Sequence, residues 1–127
     1  MRRTRILTLC VLACALAVCA LSLTALNATV DEAERLRGLA VRAAQEEKSG
    51  EARSLVAALA AHWEGAAALM EVLASHDALN EVGAAIADAQ ICLERGDDDE
   101  FLRAMSAVRL RLKRLKDEQA LRLANLY

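Results

Sequence analysis

The stretch from Ile6 to Leu26, ILTLCVLACALAVCALSLTAL, constrains this chain more than any other feature, because it carries no charge, no glycine and no proline. As a helix rising about 1.5 Å per residue it reaches about 30 Å, the thickness of a bilayer's hydrocarbon core. It is therefore expected to be a membrane helix. Arg2, Arg3 and Arg5 precede it, and Asp31, Glu32 and Glu34 follow before the next basic residue, Arg35. That bias puts the N-terminus in the cytoplasm and the rest outside. A cleaved signal peptide shares the basic start, but its apolar run is usually shorter and ends at small residues. Here Leu26 stands two positions before Ala28, which favours retention. A lipoprotein site at Val11-Leu12-Ala13-Cys14 would leave a strongly apolar stretch directly after the modified cysteine. Ala13 and Ala17, with Cys10 and Cys14, set small residues four apart, a spacing compatible with self-association in lipid.

The expected organisation is a cytoplasmic tail and membrane helix over 1–27, then one extracytoplasmic domain over 28–127. With the three N-terminal arginines set aside, the chain's 16 basic residues fall to 13, against 18 acidic ones. An acidic exterior excludes a general nucleic-acid binder, whose phosphate contacts need a basic surface. Cys10, Cys14 and Cys19 lie within the apolar stretch, so Cys92 alone is left outside and no disulfide can form within the domain.

The absence of proline and the scarcity of aromatic residues, one each of Phe, Trp and Tyr, point to helices rather than strands. Four are expected. One spans 29–48, either opened by a Thr29/Glu32 capping box or simply continuing the membrane helix, and closed at Lys48-Ser49-Gly50. The next, 51–74, carries Ala52, Val56, Leu59, Trp63, Ala66, Met70 and Leu73 at spacings of four and three. Leu55, His62 and Leu69 widen that stripe enough for two neighbours, and Gly65 offers room for the Trp63 indole. A third helix, 77–95, follows a change of phase at Ser75-His76-Asp77 and carries Leu79, Val82, Ile86, Ala89 and Leu93; one long bent helix through this point is the alternative. The last, 98–125, follows Gly96 and an acidic start, with Phe101, Met105, Val108, Leu112 and Leu115 on one face. Short links between amphipathic helices give an all-α, antiparallel up-and-down bundle of three to four helices.

The N-terminal anchor, Trp63, the His76-Asp77 pair and the ending Leu123-Ala124-Asn125-Leu126 together resemble an uncharacterised bacterial family, domain of unknown function 4363. The resemblance covers nearly the whole chain. It implies a location at the outer face of the cell membrane, and it marks Trp63, His76, Asp77 and Asn125 as motif residues. It implies no activity.

Candidate chemistry is sparse. Asp77 could orient His76 for acid–base work, but neighbours on a helix point apart and no nucleophile accompanies them. The simpler roles are helix capping for Asp77 and turn filling for His76. His62 and His76 cannot share a metal on one continuous helix, and Asp97 to Glu100 lacks the ordered ligands of a calcium loop. No cofactor is expected. The basic side of the last helix, including Arg103, Arg109, Arg111, Lys113, Arg114 and Lys116, is expected to be solvated, with Arg122 and Tyr127 reaching lipid headgroups if that helix returns to the bilayer. The first reading is a non-enzymatic module that binds or scaffolds another membrane or extracytoplasmic protein. A small-molecule sensor binding between helices is the alternative, followed by an enzyme using His76 and Asp77.

Overall fold

The computed structural model describes residues 2–71 and 74–125, without the side chains of Leu123 and Asn125. Its elements are α1 (Arg2–Gln45), α2 (Ser49–Met70), α3 (His76–Glu94) and α4 (Asp98–Asn125). Each helix packs against its two neighbours, α1 on α2, α2 on α3, α3 on α4 and α4 back on α1, while the diagonal pairs stay apart. The result is a square, up-and-down four-helix bundle with an apolar core.

Of the two readings open at Thr29, the continuous helix is the one found. No helix starts there; α1 runs unbroken through it. The Thr29 hydroxyl donates to the carbonyl of Ala25 at 2.9 Å, and Thr24 does the same to Ala20 at 2.8 Å. A threonine bonded back to the preceding turn sits within a helix rather than capping one. Continuity has a packing consequence. Leu26, at the end of the apolar stretch, is already 1% exposed, and Val30, Ala33, Leu36, Ala40 and Ala43 continue its face into the core. From Ile6 to Leu21, by contrast, the large apolar side chains are open. By length and composition α1 as a whole, with its apolar N-terminal half, could cross a membrane.

The two turns at the far end share one design. α1 stops by a Schellman motif in which the Lys48 amide donates to Ala43 O (2.9 Å) and the Glu47 amide to Ala44 O (3.2 Å). The left-handed residue is Glu47, φ 60°, so Gly50 is not the stop; it lies in the first turn of α2. α3 ends likewise: Asp97 N–H donates to Cys92 O and Gly96 N–H to Leu93 O, both at 3.1 Å, with Gly96 at φ 73°. Asp97 then caps α4, its Oδ1 accepting from the Glu100 amide at 3.2 Å.

These turns lie 49 positions apart, and so does much of the core. Val30, Ala33, Leu36 and Ala40 correspond to Leu79, Val82, Ala85 and Ala89; Ala52, Val56, Leu59 and Trp63 correspond to Phe101, Met105, Val108 and Leu112. All are buried. The bundle is thus two helical hairpins in matching register. Ala40 and Ala89 apart, the paired residues differ in size, and Ala52 on one side answers Phe101 on the other, as close packing requires.

Between the hairpins, α2 ends at Met70, and Ser75 caps α3 by accepting from the Ala78 amide at 3.2 Å. The chain therefore turns here rather than continuing as one bent helix. Leu73 of the expected stripe lies outside the described residues. Leu69 departs from that stripe and is 78% exposed.

A residue with a Cβ in the left-handed region carries roughly 1 to 2 kcal/mol of backbone strain. Replacing Glu47 by Gly should raise stability by about 1 kcal/mol, and Gly96→Ala should lower it by about 1 to 2 kcal/mol. Thermal melts of the full chain in detergent, followed by circular dichroism, would check both.

Candidate functional site

The residues singled out in the sequence collect toward the end of the bundle where α1 emerges. Trp63 comes from the middle of α2, whose four–three spacing turns it inward; it is 3% exposed. Its indole N–H crosses to α3 and donates to Leu79 O at 3.2 Å, so the polar edge is satisfied in an apolar setting. The glycine that faces the indole is Gly83 on α3, where an added Cβ would lie 3.7 Å from Trp63 Cδ1. Gly65, expected to make that room, is open to solvent.

His62, next to Trp63, faces the other neighbour. Its Nε2–H donates to Thr29 O on α1 at 3.0 Å. The corresponding position in the second hairpin is Arg111, which reaches Glu81 on α3 at 3.2 Å. Both residues therefore tie the second helix of a hairpin to its first. Near His62, the Arg35 side chain hydrogen-bonds Glu32 and holds that carboxyl below its ordinary value, while the guanidinium is raised in turn.

His76 opens α3 and is exposed, its Nδ1 3.6 Å from Glu71 Oε1. Asp77 is exposed in the same first turn, where its charge suits the helix's positive end. The cap itself belongs to Ser75. No hydrogen bond joins His76 to Asp77 among the described residues, so the pair does not form an oriented acid–base couple. Asn125 closes α4, and its side chain lies outside the described residues, as do Leu126 and Tyr127.

Beside Asp77, a hollow of about 160 Å³ between α3 and α4 is lined by Ser75, Asp77, Ala78, Glu81, Arg111, Arg114, Leu115 and Glu118. It is open and of mixed charge. A longer groove of about 620 Å³ follows the outward face of α4 from Ala107 to Leu121, with Leu110 68% and Leu121 63% exposed. Sequence reasoning treated this side as a solvated charged face and missed those leucines; their spacing of eleven, directly opposite the core positions, was the available signal. The described residues contain no group of His, Cys, Asp or Glu able to hold a metal. Within the core the one buried polar side chain described is Gln119.

Truncating Trp63 to Ala should cost about 3 to 5 kcal/mol, since it removes a buried aromatic from the α2–α3 contact. Gly83→Ala should be neutral or stabilising by up to about 1 kcal/mol, because the contact is ordinary and alanine favours the helix. His76→Ala should stay within about 0.5 kcal/mol of the parent. Chemical denaturation in mild detergent reads all three, and a large loss at His76 would contradict its exposed placement.

No curated protein and no solved structure matches this chain. A family model does, over residues 20–126, so that the match begins just before the first side chains of α1 that enter the bundle. On that match, which covers most of its length, the chain belongs to the family described as Domain of unknown function (DUF4363).

Proposed function

We propose that this protein is a single-pass, membrane-anchored helical bundle that holds a protein-binding surface at the outer face of a cell membrane. The observation that carries the reading is the unbroken α1, whose open apolar half leads into the core with no linker between. Such a helix fixes a small bundle in place and orientation against a bilayer. The arginines before the apolar run support a cytoplasmic N-terminus. A binding role is favoured over catalysis because His76 and Asp77 are exposed and share no hydrogen bond among the described residues. It is favoured over ligand sensing because the core is apolar, and the hollows on α3 and α4 are open and lined largely by charged side chains. The partner's seat is the outward face of α4 around Leu110, where that leucine and Leu121 stand open among charged side chains.

Two measurements test this. After alkaline extraction the full chain should remain with membranes, and protease added outside intact cells should remove its C-terminal domain; mature chain free in the medium, trimmed before residue 30, would overturn the anchor. Leu110→Glu should reduce recovery of co-purifying proteins from detergent extracts at least tenfold, while changing stability by less than about 0.5 kcal/mol. Unchanged recovery would move the binding surface elsewhere.

A further inference from the structure

We infer that the α1-exit end of the bundle is seated within the phospholipid headgroup layer, with Leu69 at the end of α2 and Leu121 near the end of α4 reaching toward the acyl chains. The inference rests on the membrane-anchor reading and concerns a second, separate contact with lipid. Its first support is length. The open apolar run from Ile6 to Leu21 covers about 24 Å, short of a hydrocarbon core of about 30 Å, and any tilt widens the shortfall. Ser22, Leu23 and Leu26, which would make up the difference, are already partly or wholly covered by the other helices.

The second support is register. His62 bonds to Thr29, and α2 runs antiparallel to α1, so Leu69 lies about level with Ser22. Lys116 bonds to Asp31 at 2.6 Å, and α4 also runs antiparallel, so Leu121 and Arg122 lie about level with Leu26 and Ala25. A headgroup layer is about 5 to 7 Å thick on each side of the core. Counted from Ile6, Leu26 lies about 30 Å along the helix, at the outer edge of the hydrocarbon core, and Ser22 about 24 Å along it; with no linker in α1 to lift the bundle away, Leu121 sits at the inner edge of the headgroup layer and Leu69 just below it.

The third support is chemistry. Leu69 and Leu121 are 78% and 63% exposed, a large apolar exposure at one end of the bundle, and they are accompanied by Arg122, His76 and Glu71. Apolar side chains beside charged ones suit the interfacial zone, where leucine can dip and arginine can meet phosphate.

The test uses the full chain in vesicles of phosphatidylcholine with phosphatidylglycerol, carrying an environment-sensitive fluorophore on one cysteine at a time. The labelled positions are Leu69→Cys, Leu121→Cys and Leu110→Cys in a background whose native cysteines are alanine, and native Cys14 with the other three replaced. Helicity by circular dichroism confirms that each variant is folded. The expected result is blue-shifted emission quenched by spin-labelled lipid at positions 69, 121 and 14, and water-like emission at Leu110, about 16 Å further up α4. Water-like emission at both 69 and 121 with a lipid-buried Cys14 would overturn the seating alone. Water-like emission at Cys14 as well would overturn the anchor together with it.

Discussion

The backbone hydrogen bonds that carry α1 through residues 22 to 30 without a break are the constraint on which the rest depends. A helix interrupted there would make the apolar stretch and the bundle two bodies joined by a hinge. The sequence supplies neither proline nor glycine there to interrupt it, and both threonines satisfy their hydroxyls on the preceding turn. Leu26 thus belongs to an apolar segment by sequence and to the core by packing. A side chain with both memberships cannot be exchanged for a polar one without disturbing the bundle.

Around that helix the energetics are ordinary for a small bundle. Apolar faces are removed from water by two neighbours each, and Phe101, Leu59, Ile86, Met105 and Leu112 are almost fully covered. Surface ion pairs such as Arg103–Glu100 and Lys116–Asp31 add little individually. The Schellman turns and the Ser75 and Asp97 caps determine where each helix stops. Packing sets the stability; turn chemistry sets the topology.

Much of this was legible in the residues. The 98–125 helix starts where Gly96 and the acids after it place it, and every core position expected on it is buried. Whether a helix restarts at Thr29 stayed open in the residues because Thr-x-x-Glu occurs within helices as well as at their ends, and only packing decides. Glu47 gave no sign of its left-handed backbone, since tertiary closure imposed it on a residue that does not prefer it. Gly83 could not be distinguished from Gly65 without knowing that α3 lies against the indole. The 49-residue correspondence is faint in the sequence because most equivalent core positions, Ala40 and Ala89 apart, share burial and not identity. Of the candidate site residues, Trp63 was placed by its spacing, whereas the separation of His76 and Asp77 depended on which residue caps α3.

A rod without a joint also behaves as a lever. From Ser22 to Gln45 α1 rises about 36 Å, so a tilt of about 20° in its lower half would sweep the turn at Glu47 sideways by about 12 Å. Whatever sets the inclination of the apolar half is thereby converted into lateral position at the distal tip, and with it the reach of the bundle toward anything beside it.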